Sequence, residues 1–320
     1  MSRSNQSLPQ EHFHLNNPVQ HVEGLVGKFD GWIGLRERLL EVLSSTRKDA
    51  VLNVAAAGFV LPDGKDPAAE LKLVLEEIKI SAIDESGAQV NYDLLKHSSA
   101  YKHYHNSLSP GLVGFDPTTL KSRGEQLAFW INLYNALVID AVISFGIQRS
   151  VIEGKWGLLT FFRRAAYNVG GHRISLDEIE NGVLRGNRGH PYIPGKQFTA
   201  GDPRLEWVIW PPEPRIHFAL NCASRSCPPF QVYTADQIET QLDLATRAFI
   251  DASILLNPAK QMLVVSSIFQ WFKGDFGGQD GIIPFIINHL PYDGRRAWLI
   301  KYKDVIRLRY KPYDWHLNAI

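Results

Sequence analysis

The stretch HFALNCASRSCPPF, from His217 to Phe230, holds both cysteines of the chain, five positions apart. A thiol nucleophile needs a base to take its proton and a setting that favours the thiolate. His217 is the candidate base, Cys222 the candidate nucleophile and Arg225 a cation that would favour its charged form. The small and hydroxyl residues that follow form a loop able to present backbone amides to an anion, with Ser224, Ser226 and Cys227 as binding candidates. Such a set suits hydrolysis or acyl transfer at an amide or thioester. Other readings compete: inert buried cysteines, a metal held by His217, Cys222 and Cys227, or a disulfide. The metal set lacks the paired spacing of usual zinc sites. The disulfide is disfavoured by the reducing compartment that so few cysteines suggest.

If residues 215–221 form a strand, Ile216, Phe218 and Leu220 face one way and His217, Ala219 and Asn221 the other. Cys222 then falls on the face opposite His217, unless a bulge or turn at Ala223 swings the sulfur round. A second polar set lies in the apolar run Leu127 to Ile143, where Asn132 and Asn135 are three apart and share a helix face. Buried amides must find partners, so they either staple the helix to a neighbouring segment or donate to a substrate carbonyl or catalytic imidazole. Asp275 and Asp314 sit among aromatic residues, where a carboxylate anchors a turn or orients a histidine. His103, His105 and His172 read as solvated or packing histidines. No GxSxG elbow, Walker loop, GxGxxG, HExxH or EF-hand pattern occurs, and no cofactor is expected.

These residues need elements to position them. Three capping boxes predict helix starts, at Ser122 with Glu125, Ser175 with Glu178, and Thr234 with Gln237. LKLVLEEIKI fits helix and strand alike. WVIWPPEPRIHFALN reads as two extended segments about a proline-rich turn, MLVVSSIFQWF as another strand or a strand entering a helix, and LIKYKDVIRLRYKPYDW as a late strand. Elements do not alternate regularly, which predicts an α+β fold, a single large domain with a central, mostly antiparallel sheet packed on a buried helix. The expected organisation is a disordered arm over 1–20, a helical N-terminal extension over 21–86 with an amphipathic helix from Val22 to about Ser44, and the main domain over 87–320.

With 34 basic against 33 acidic residues in 320, and 45% apolar content, nothing points to nucleic acid. A small-molecule or peptide substrate, or a protein partner, fits better. The opening MSRSNQSLPQEHFHLNN has no apolar core of a signal peptide, and the apolar run at Leu127 is broken by Asn132, Asn135 and Asp140. A cytoplasmic chain with no membrane span is the expectation.

LAFWINLYNAL, ISLDEIENGVLRG, DPR, RIHFALNCASRSCPPF, SSIFQWFKGDF and YDWHLN together resemble domain-of-unknown-function family 547, from about Asn91 to Asn318. The resemblance implies no established activity. The family's members look like stand-alone bacterial proteins or modules joined to glutaredoxin, membrane-recruitment or leucine-zipper segments. Its recurrent positions fall on Trp130, Asn132, Asn135, Arg185, His217, Cys222, Ser224, Ser226, Asp275 and Asp314. Plant-type relatives look as if they carry Ser in place of Cys227, which shifts the expected nucleophile to Cys222, and the imidazole usual after the Ile-Glu pair is Asn181 here. The readings that remain are a cysteine-dependent hydrolase or acyl transferase, using Cys222, His217, Asn132 or Asn135, and amides of the loop from Ser224 to Cys227; a non-catalytic interaction module whose polar network is structural; and a metal-dependent enzyme.

Overall fold

Ser122 opens the longest helix, α2 (Arg123–Phe145), as predicted; its hydroxyl accepts from the Glu125 amide at 3.1 Å while the Glu125 carboxylate accepts from the Ser122 amide at 2.7 Å. The helix ends where Gly146 takes a left-handed φ of 66°, a conformation that favours glycine. The structure is a computed structural model that describes residues 39, 40, 42, 50–54, 66–153 and 157–320. The arm expected over 1–20 lies outside the described residues, as does the helix expected from Val22 apart from Leu39, Leu40 and Val42, which are helical. Helix α2 is long and apolar enough to cross a membrane by length and composition, but nearly all of it is buried within the protein, as a core helix is.

The fold is α+β; among the described residues its strands form one two-stranded and one three-stranded sheet rather than one central sheet packed on α2. The ambiguous LKLVLEEIKI belongs to helix α1 (Pro67–Ala82), whose Leu71, Leu75 and Ile78 pack into the same core as α2. Residues 67–82 therefore join the main core, although they fall within the segment expected as an extension. Helix α3 (Gly157–Arg164) leads into the antiparallel hairpin of β1 (Ala166–Val169) and β2 (His172–Ser175), turning at Gly170 and Gly171. The second capping box forms at Ser175 and Glu178 and starts a short helical turn that continues as a π-helical turn over Ile179–Leu184.

The third box does not form. Helix α4 (Ile238–Ser253) has no side-chain cap at Gln237; instead Gln241 accepts the Thr234 amide at 2.8 Å and donates to the Val232 carbonyl at 3.0 Å. A side chain one turn inside the helix has taken the role of the cap. Strands β3 (Leu255–Asn257), β4 (Met262–Ser266) and β5 (Arg307–Lys311) form one sheet, antiparallel between β3 and β4 and parallel between β4 and β5. Between β4 and β5 run the short helix Ile268–Trp271, the second of the two readings of that stretch, then α5 (Gln279–His289) and α6 (Gly294–Tyr302). These elements enclose a second apolar core around Phe218, Phe249, Phe269 and Phe276. The C-terminal residues lie across three earlier segments: Leu317 donates to the Arg149 carbonyl, Asn318 to that of Ala223, and Ile320 to that of Val90.

Candidate active site

Residues 214–218 are not a strand. Pro214 opens a 3-10 turn, Pro214–Phe218, with the Glu213 carboxylate accepting from the Arg215 amide at 3.2 Å. With three residues per turn, consecutive side chains point about 120° apart, so the two-faced parity of a strand does not apply. Ile216 enters the core around α2, Phe218 enters the second core, and His217 between them lines a cavity of about 370 Å³.

His217 is buried, and its Nε2 lies 2.8 Å from Asp275 Oδ2. The ionised carboxylate only accepts, so Nε2 carries the proton and Nδ1 holds a free lone pair. Asp275 belongs to a second 3-10 turn, Lys273–Phe276. Arg185 Nε donates to its Oδ2, Arg185 Nη2 to its Oδ1 at 3.2 Å, and Arg188 Nη1 to Oδ1 at 2.7 Å. Burial would raise the Asp275 pKa, but the hydrogen bonds from His217 and Arg185 hold the carboxyl well below the usual range. Burial outweighs the carboxylate for His217, lowering its pKa to about 4, so the ring is neutral at physiological pH. The ring stacks on Phe272 with centroids 3.9 Å apart, and the Arg185 guanidinium also lies over the Phe272 ring, 4.8 Å from its centroid.

On the π-helical turn, Glu180 places Oε1 3.9 Å from His217 Nδ1 and accepts from the Tyr134 hydroxyl at 3.2 Å. Burial raises the Glu180 carboxyl to about 7, against the opposing pull of Arg185. Next to it, Asn181 donates to Asp177 at 2.9 Å and accepts from Arg185 Nη1 at 2.6 Å. The Asn181 amide thus links two charged side chains. Neither Glu180 nor Tyr134 was singled out in the sequence. The available signal was the four-residue spacing of Asp177, Asn181 and Arg185, which turns one side of the segment into a charged face with Glu180 beside it.

Cys222 and Cys227 are joined by a disulfide. This overturns the inference that the compartment disfavours it, and the closeness is local in origin. Ala223, buried and left-handed at φ 61°, makes the turn foreseen after Cys222, and Asn221 fixes it by accepting the Ala223 amide at 2.9 Å and donating to the Pro228 carbonyl at 2.8 Å. The Cα atoms of the two cysteines come to 6.1 Å, within bridging reach. Cys222 lines the same cavity as His217 and Glu180, yet the hydrogen-bond partners of its sulfur are the hydroxyls of Ser224 and Tyr313 rather than an imidazole. With the sulfurs bonded to each other, the metal set of His217, Cys222 and Cys227 is not assembled either. Among the described residues no three His, Cys, Asp or Glu side chains converge as metal ligands.

The asparagines of α2 are staples. Asn132 donates to the Tyr233 carbonyl at 2.8 Å and accepts the Tyr233 amide at 3.0 Å; Asn135 donates to the Ala219 carbonyl at 3.0 Å and accepts the Asn221 amide at 2.8 Å. Every pairing is with backbone, so the expected role toward substrate or imidazole does not hold. Of the loop amides expected to form an oxyanion site, those of Arg225, Ser226 and Cys227 donate to the carbonyls of His316, Asp314 and Ser224. Ser226 accepts the Asp314 amide, and Asp314 accepts the His316 amide in an exposed turn without lining the cavity itself. Trp130 is core, packed on Phe129 and Trp207. His105 pairs with the buried Asp140, while His172 packs against Trp207.

The cavity walls are largely aromatic, with Trp271, Phe272, Tyr313 and Trp315 on them, and its titratable lining includes Glu180 and His217. A neutral imidazole oriented by a clamped carboxylate, beside a carboxyl that is half protonated near neutrality, is equipped to move protons in an apolar setting. Residues 117–250 match the model of the family described as "Protein of unknown function, DUF547". The match takes in α2, Glu180, Arg185 and the cysteine loop; it stops short of Asp275 and Asp314, which the resemblance had included. No curated protein and no solved structure shows a significant match to the chain.

Proposed function

We propose that the cavity is the active site of a cysteine-dependent hydrolase or acyl transferase acting on an amide or thioester bond. The observation that carries the reading is the meeting, in one apolar cavity, of Cys222 with an imidazole whose far nitrogen is held by a buried carboxylate. In the dithiol state His217 Nδ1 takes the Cys222 proton, directly or through one water, and Asp275 stabilises the imidazolium that forms. The thiolate attacks the carbonyl carbon, and the imidazolium returns the proton to the leaving group. Protonated Glu180 supplies a hydrogen bond to the developing oxyanion, a task for which Asn132 and Asn135 are not free. A water or an acceptor amine then releases the acyl group.

The test is turnover of a panel of aryl thioesters by the full chain after reduction. Cys222→Ala is expected to abolish turnover, and His217→Gln to lower kcat by about 10²- to 10⁴-fold. Undiminished turnover in Cys222→Ala would sink the reading. A second reading, a ligand-binding module whose polar network is structural, is favoured by the disulfide that ties up Cys222. Under it, Cys222→Ala leaves ligand retention unchanged and no thioester turns over.

A further inference from the structure

The two sulfurs of the disulfide differ in their surroundings. Cys222 lines the cavity and Cys227 does not, although both residues are half-buried. Cys227 Sγ accepts the Cys222 amide at 2.9 Å, and the hydroxyls of Tyr313 and Ser224 each lie 3.3 Å away. Cys222 Sγ meets the same hydroxyls at 3.4 and 3.5 Å and has no amide. Donors that converge on a sulfur stabilise it as thiolate, and the better thiolate is the faster leaving group in exchange. The loop is also fixed without its bridge, by Asn221 to Pro228 and by the paired backbone of Arg225 with His316 and Ser226 with Asp314. Opening the bond therefore leaves both sulfurs in place to close again.

We propose that Cys222–Cys227 is an exchangeable disulfide that reacts with a small apolar thiol entering the cavity, Cys222 being the attacked sulfur and Cys227 the leaving one. The aromatic wall of Trp271, Phe272 and Trp315 receives the apolar body of the thiol. The incoming thiol gives its proton to solvent. Its sulfur bonds to Cys222 Sγ, the Cys222–Cys227 bond breaks, and the electron pair leaves on Cys227, which is then protonated from solvent. A second molecule of thiol attacks the mixed disulfide and departs as the symmetrical disulfide. Two thiols are thereby oxidised and the protein disulfide is reduced by two electrons to two thiols. The exchange stands independently of acyl transfer, since it is read on the sulfurs alone, and it delivers the free Cys222 that acyl transfer would need.

The experiment treats the oxidised full chain with limiting benzyl mercaptan at neutral pH, blocks free thiols with a maleimide, and maps tryptic peptides by mass. Arg225 lies between the two cysteines, so cleavage after it separates them. The expected result is the benzyl adduct on Cys222 and the maleimide on Cys227. In Tyr313→Phe, and separately in Ser224→Ala, opening is expected to slow about fivefold, the worth of one hydrogen bond to the leaving sulfur. Circular dichroism confirms which of the two variants is folded and is read. An adduct on Cys227, an even distribution, a bond that opens only in denaturant, or two free thiols in protein isolated without reductant would each overturn the proposal.

Discussion

His217 and Glu180 stand 3.9 Å apart, and burial moves their pKa values in opposite directions, to about 4 and about 7. The folded pKa of His217 lies below its ordinary 6.5, so its contribution to stability is complete above pH 6.5 and is lost as pH falls toward 4. That of Glu180 lies above its ordinary 4.5, so its contribution is complete below pH 4.5 and is lost as pH rises through 7. Each is on the order of 3 kcal/mol, and between pH 6.5 and 4.5 they oppose each other. Removing one should expose the other. The urea midpoint of Glu180→Gln is expected to fall as pH drops from 7 to 5, and that of His217→Gln to rise over the same interval. Equal slopes in the two variants would contradict the opposed shifts. At this scale the sequence named His217, Cys222, Arg185 and Asp275 but not Glu180. The Glu180 carboxyl is raised to about 7 chiefly by burial, and burial of one Glu in a charged segment leaves no mark in residue order.

Among the elements, α2 was the most legible, because its capping box and apolar run are local features. Asn132 and Asn135 were equally legible as buried amides, while their partners, 84 to 101 residues away, were not. The stretch around His217 was misread because alternating apolar residues suit a strand, whereas Pro214 and the Glu213 cap select a 3-10 turn that shares its side chains among three directions. Asn135 joins α2 to the chain on both sides of Leu220. Asn135→Ala leaves the Ala219 carbonyl and the Asn221 amide unpaired, an expected loss of about 2 to 4 kcal/mol in urea unfolding. The pH dependence of turnover in the folded fraction should stay as in the parent, since the amide touches backbone alone. A variant as stable as the parent, with a displaced pH profile, would return Asn135 to the chemistry.

Across the whole molecule, the site is assembled from Tyr134 on α2, Glu180 and Arg185 on the π-helical turn and its cap, His217 and the cysteine loop, Asp275 after β4, and Tyr313 near the C-terminus. The last residues hold this assembly closed by pairing with Val90, Arg149, Ala223 and Arg225. Periodicity and capping act over a few turns of chain and carried the α+β class, but they say nothing about which distant segments meet. The position of His217 between the two cores therefore became visible only in three dimensions. Its imidazole reports on the complete assembly, since its state depends on the Asp275 turn, the Arg185 clamp and the Phe272 stack together. The decisive measurement is nitrogen NMR of the His217 ring across a pH titration. The account predicts a neutral ring with the proton on Nε2, Nδ1 bare, and a midpoint near pH 4. A proton on Nδ1, or a midpoint near the ordinary 6.5, would contradict it.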